Sequence, residues 1–292
     1  MFEFAAVLFG LISAGSWGFA DFFVGKSART LGSAKAALLV NTIQAVVYSI
    51  LYVLFLAKDV TFTSEGVIYA LIGSIFFAGA QASFFKAMRF GPVGLVSSIS
   101  STYPLVALLV GVILFAVGVS VVKVVGIVFI VAGVMVASGL LEKSKHRLGK
   151  GPLVALLPAF GWGVGLGFIS QALSLMDWQG TLLIELLVAP VVLLIGLPCI
   201  KGDEHVTLGS LAKGARLPVV WMSGLLQMSG LLALNVGIVR KPSEAAVIVA
   251  VSSCYPALTI FLALRHLKET IPLVPLIGGI VGIVGVIILA LG

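Results

Sequence analysis

The 292-residue chain is 60% hydrophobic and only 10% charged, with a mean hydropathy of +1.23. Soluble domains run at about 45–50% apolar and about 25% charged, so this composition excludes a water-soluble globular fold. The formal charge of +7 comes from 18 Lys and Arg that lie between apolar runs without forming a basic stripe, which excludes a nucleic-acid surface. Cys199 and Cys254 both fall inside apolar runs, giving neither a disulfide framework nor metal-ligand spacing.

Taken in order, the apolar runs predict membrane spans at 4–24, 34–57, 66–88, 93–115, 120–141, 152–175, 180–200, 217–239, 243–264 and 272–291. Each holds about 20 mainly apolar residues, enough to cross a roughly 30 Å hydrocarbon layer as a helix. The expected fold is therefore an all-α polytopic membrane protein of ten helices. No Lys or Arg precedes Lys26, so the N-terminal run is expected to be a retained first span and not a secretory signal. The most polar joint, from Glu142 to Lys150, divides the ten evenly. It suggests a first five-helix repeat over 1–141, a cytoplasmic linker over 142–151 and a second repeat over 152–292.

Internal similarity supports that division. Ser100-Ser101-Thr102-Tyr103-Pro104 returns 152 residues later as Ser252-Ser253-Cys254-Tyr255-Pro256. With that offset held, 8 of 43 positions between 97 and 139 are identical, including Gly126 with Gly278 and Gly133 with Gly285. In the first and sixth spans Ser16-Trp17-Gly18 answers Gly161-Trp162-Gly163, at an offset of 145. Because each half crosses the membrane an odd number of times, the two copies must be inverted relative to each other, with a central cavity between them.

Four cations, Lys58, Lys123, Arg240 and Lys241, fall in or beside the even-to-odd joints, and the other 14 of the 18 lie on the opposite side. The positive-inside rule then places both termini outside the cytoplasm and the central joint inside.

The span count, the paired Trp-Gly openings at Trp17-Gly18 and Trp162-Gly163, the small-residue fourth and ninth spans with their Tyr-Pro, and the glycine-rich fifth and tenth spans together resemble the EamA-type branch of the drug/metabolite transporter superfamily. The resemblance covers essentially the whole chain. It departs where Lys268-Glu269-Thr270 leads into span ten, since the first half carries Val117 at the position matching Glu269. A helix-start role for Glu269 near a positive dipole end is the expectation there. The resemblance implies secondary transport of a small metabolite such as an amino acid, polar metabolite or organic cation, most often export, by alternating exposure of the cavity. A lipid head-group flippase and an uncoupled facilitator are the alternatives.

Polar groups inside the apolar spans are the candidate functional residues, because each costs free energy unless it meets a partner or a cavity. Glu185 lies about two turns into span seven, and its symmetry position in span two, within one residue, is Asn41; it is a coupling carboxylate, a depth-shifted acid near the outer interface, or a hydrogen-bonding lock between helices. Asp21 is a second candidate for coupling, with pairing to Lys26 or Lys86 as its structural explanation. Trp17 and Trp162 are candidate flat walls for a substrate or packing residues. Ser100, Ser101, Tyr103, Ser252, Ser253 and Tyr255 put hydroxyls on spans four and nine, where Pro104 and Pro256 interrupt the backbone ladder at matching positions. Gln81 and Asn235, with Gln44, Gln171 and Gln227 behind them, are candidate ligand contacts or interhelical hydrogen bonds.

His146, His205 and His266 all fall in polar joints, and no Gly-x-x-x-x-Gly-Lys loop is present, so no enzyme, nucleotide or metal chemistry is expected and no cofactor. The expected partners are a small-molecule substrate, protons and membrane lipids, with no nucleic acid. The chain is read as a monomer or homodimer in the cell membrane.

Overall fold

A computed structural model describes residues 4–116, 118–137, 150–197 and 206–291. The described residues form helices: α1 (Phe4–Leu31), α2 (Ser33–Leu51), α3 (Ser64–Phe90), α4 (Val93–Ser100), α5 (Tyr103–Phe115), α6 (Val121–Ala137) and α7 (Gly151–Val154). They continue as α8 (Leu156–Leu175), α9 (Trp178–Gly196), α10 (Leu208–Ala215), α11 (Pro218–Arg240), α12 (Ala245–Ser252), α13 (Tyr255–His266) and α14 (Leu273–Leu291). Among the described residues, nine spans are long and apolar enough to cross a membrane, and α6 is a tenth, shorter apolar helix. Residues 138–149, most of the expected linker, lie outside the described residues, as do Val117, Cys199, Lys201 and His205.

Spans four and nine are each two helices in series, α4 with α5 and α12 with α13. The breaks fall at Ser101-Thr102 and Ser253-Cys254, immediately before the repeated Tyr-Pro. Pro104 and Pro256 thus sit in the first turn of a new helix, where a missing N–H costs nothing. The repeat extends to backbone conformation. Ala116 and Lys268, 152 residues apart, are both left-handed, at φ 54° and 53°, and each turns the chain out of a broken span.

Span one runs seven residues beyond the expected end, from 24 to Leu31. Ser27 and Ala28 are buried, and the Arg29 guanidinium donates to the Glu269 carboxylate at 2.6 Å and to the Gly91 carbonyl at 2.8 Å. The charged turn is therefore held by protein. Glu269 also accepts from the backbone N–H of Val93 at 3.0 Å, so the helix start it caps belongs to α4, packed against it, and not to its own span. The joint between spans seven and eight contains α10, which composition had not suggested; Thr207 and Ser210 close its first turn as a capping box.

The most extensive contacts join α6 to α14, α3 to α8 and α1 to α11. All three cross between the halves, and the last two exchange under the repeat. The halves are therefore interleaved. Bare glycines permit the approach of α6 to α14: a Cβ on Gly133 would lie 2.3 Å from the Gly282 nitrogen, and one on Gly126 2.7 Å from the Leu289 nitrogen. The alternating glycines of α8 serve two neighbours. Gly161 and Gly165 face Ala80 and Phe77 of α3, while Gly163 and Gly167 face Val106 and Val110 of α5.

The largest hydrophobic core has a lopsided position. Most of its residues, among them Val24, Ala28, Ala37, Phe85, Met88, Val93, Val96, Ala155, Leu193, Val220 and Ala263, come from the parts of spans next to the cation-rich joints. That end of the bundle is packed solid.

Candidate functional site

Above this core, between the halves, lies a cavity of about 150 Å³. Eight spans line it: Trp17 and Asp21 from α1, Asn41 and Gln44 from α2, Phe77, Gln81 and Phe84 from α3, Tyr103 from α5, Trp162 and Leu166 from α8, Glu185, Leu186 and Ala189 from α9, Gln227, Leu231 and Leu234 from α11, and Tyr255 from α13. The fifth and tenth spans contribute none of these residues.

The two Trp-Gly motifs build matching walls. Trp17 meets Tyr255 edge to face, with ring centroids 5.7 Å apart, and Trp162 meets Tyr103 in the same manner at 6.1 Å. Each pair takes its Trp from one half and its Tyr from the other. Trp17 is fixed further: its indole N–H donates to the Gln227 carbonyl at 3.3 Å, and its ring lies where a Cβ on Gly230 would be, 2.5 Å from the indole nitrogen. Trp162 packs on Phe84 at 4.8 Å.

Two carboxyl groups reach the cavity, and they are held differently. Asp21 accepts a hydrogen bond from the Ser97 hydroxyl at 2.5 Å. Neither Lys26 nor Lys86 pairs with it; the Lys26 ammonium lies over the Phe22 ring at 5.3 Å and Lys86 is exposed. Glu185 is 9% exposed and has no hydrogen-bonding or ionic partner among the described residues, so of the sequence-based alternatives the geometry leaves it facing the cavity. Among the described residues, no Lys, Arg or His lines the cavity.

The amides divide into structural and open groups. Gln44 donates to Gln227 at 2.8 Å, tying α2 to α11, and Asn41 donates to the Ala37 carbonyl of its own helix at 2.8 Å. Gln81 presents a buried Oε1 that has no hydrogen-bond partner among the described residues.

Of the residues singled out in the sequence, Trp17, Asp21, Gln81, Tyr103, Trp162, Glu185 and Tyr255 come together on this wall. Ser100, Ser101, Ser252, Ser253 and Asn235 do not line it. Ser101 donates to Ser98, Ser252 and Ser253 both to Val249, and Asn235 to Leu231, each back to its own helix. Ser100 donates at 3.4 Å to the carbonyl of Ala155, at the α7–α8 break. Small hydroxyls on a broken helix satisfy the carbonyls that the break exposes, which removes the need for a ligand there.

Phe77, Phe84 and the leucines of α9 and α11 were missed as wall residues, since apolar residues in apolar helices carry no distinguishing signal. Pro190 was also overlooked. It lies inside α9, one turn beyond Leu186, and removes a backbone donor beside the cavity.

The profile of the EamA-like transporter family matches the chain twice, over residues 4–139 and 149–291. Comparison with curated proteins gives no significant match. Among solved structures, 24 chains match; one crystal structure is 19% identical, covers 98% of this chain and 97% of its own, and superposes with a TM-score of 0.59, a likeness of fold alone.

Proposed function

Because the chain belongs to the EamA-like transporter family, we propose that it is a secondary transporter, and not an enzyme, that carries a small organic cation through the central cavity and out of the cell in exchange for protons. The carrying observation is the cavity's lining among the described residues: two carboxyl groups, no basic side chain and two Trp–Tyr walls. A cation is stabilised both by a carboxylate in a poorly solvated site and by the faces of aromatic rings. An anionic or multiply phosphorylated substrate would meet the opposite of what it needs.

In this reading the substrate's charged end lies near Glu185, its flat apolar body between the aromatic pairs, and Gln81 supplies an acceptor. Asp21, already bonded by Ser97, holds the cation-rich end of the site. A buried carboxylate without a partner must be neutralised by a proton or by the cation, so the two compete for Glu185 and one leaves as the other binds. In this reading the core at the cation-rich end closes that side, and the cavity is reached from the opposite side. Interleaving of the halves means that alternation cannot move one half as a body against the other. The contacts instead group spans one, eight and nine on one side of the cavity and spans three, four and six on the other.

Uptake of a fluorescent organic cation into proteoliposomes, with and without a pH gradient, tests this. Gradient-driven uptake lost in Glu185→Gln supports it; uptake indifferent to the gradient would leave an uncoupled facilitator.

A further inference from the structure

A second cavity, of about 210 Å³, lies beside the first. Pro104, Ala107 and Leu108 of α5, Val249 of α12, and Val286, Leu289 and Ala290 of α14 make it almost wholly apolar, and Leu166 of α8 is shared with the central cavity as the partition between them. An apolar void of this size does not hold water and accepts an apolar guest. Its polar members are Ser253, whose hydroxyl is committed to Val249, and Lys123.

Lys123 is the unexplained residue. It is one of the four cations at the cation-poor end, so the charge bias that accounts for the others does not account for it. It sits in the first turn of α6, where the helix already carries partial positive charge, so an ammonium there is disfavoured unless an anion is close. Among the described residues its side chain has no ionic or hydrogen-bonding partner, and no acid lines the cavity. The neighbouring Val121 and Val122 are exposed, leaving an apolar mouth toward the surrounding bilayer.

We propose that this cavity is a lipid site: one acyl chain of an anionic phospholipid enters between α5, α6, α12 and α14, and its phosphate rests against Lys123 and the first turn of α6. A lipid chain against Leu166 would support the wall of the central cavity from behind. The site is separate from the transport reading and does not depend on it.

Native mass spectrometry of the purified protein, titrated with phosphatidylglycerol or with phosphatidylcholine of the same chains, tests the assignment. Wild type is expected to retain one phosphatidylglycerol with about a fivefold preference over phosphatidylcholine, the scale set by one basic residue at an anionic lipid surface. Lys123→Gln is expected to abolish that preference, Lys58→Gln to keep it, and Ala107→Phe, which fills the slot, to weaken binding of both lipids. Equal retention of the two lipids by wild type, or an undiminished preference in Lys123→Gln, would overturn the proposal. So would displacement of the bound lipid by inorganic phosphate, which would make Lys123 a site for free anions.

Discussion

Replacing Gly133 by Ala adds a methyl group to the α6–α14 contact with nowhere to go. The new Cβ would lie 2.3 Å from the Gly282 nitrogen, 2.6 Å from its Cα and 2.8 Å from the Gly278 carbonyl oxygen, all backbone atoms that cannot rotate away. The helices must separate, at a cost of about 1–3 kcal/mol for overpacking a close interface. Gly282→Ala is the internal control, because its Cβ would meet only the Thr102 methyl at 3.7 Å, an ordinary contact. At about 2–4 °C per kcal/mol for a chain of 150–250 residues, the first variant should lose roughly 2–12 °C in its apparent unfolding midpoint. The second should lose about 2 °C or less, the effect of a substitution within about 0.5 kcal/mol of neutral. The assay is thermal unfolding in one detergent, followed by loss of monodisperse protein on size exclusion. A Gly133→Ala midpoint equal to that of Gly282→Ala would refute the α6–α14 packing.

Breaking the Arg29–Glu269 pair with Glu269→Gln removes charge from the bonds that Arg29 and Val93 make to it; at about 1–2 kcal/mol for a capping and charged contact, a cysteine at Ala28 should be alkylated about 5- to 30-fold faster. An unchanged rate would show that the core alone seals that end. Ala116→Gly relieves a left-handed alanine and is expected to stabilise by about 0.5–1 kcal/mol, net of the extra freedom glycine has when unfolded, read as a higher midpoint. At the far end, the Asp177 carboxylate is held below its ordinary range first by the Thr61 hydroxyl and then by the Thr61 amide, both of which donate to it. A depressed pKa stabilises above the unfolded value and the benefit fades as pH falls through the folded one, so the tie should persist at mild acidity and loosen below the usual Asp range. Asp177→Asn should remove this pH dependence from proteolysis of the 57–63 joint. Cysteines added at both termini should react with an impermeant reagent in intact cells, and protection of both would reverse the assigned orientation.

Much of the architecture was legible because hydropathy, charge bias and a repeat act on long stretches. Twenty apolar residues have few options in a bilayer, and Ser-Ser-x-Tyr-Pro marked both broken spans. The cavity was legible where a residue was costly to bury without cause: Glu185, Asp21, Gln81 and the two Trp-Gly motifs all reach its wall. Serines were less informative, since a hydroxyl can satisfy itself on its own helix, as Ser252 and Ser253 do. Hydrophobic wall residues were illegible for the converse reason: Phe77 in the cavity and an aromatic facing lipid have the same neighbours in sequence. The interleaving of the halves also lay beyond reach. Glycine spacing announced close approach without naming the partner helix, and only the structure pairs Gly133 with Gly282.

The most direct test of the account is exchange across a liposome membrane: protein loaded with a monovalent organic cation on one side, a proton gradient imposed, and the proton flux measured beside the cation flux for wild type, Glu185→Gln and Asp21→Asn. The account predicts opposed, stoichiometric fluxes in wild type and loss of proton movement in Glu185→Gln. Cation flux without proton movement, or full coupling in Glu185→Gln, would contradict it.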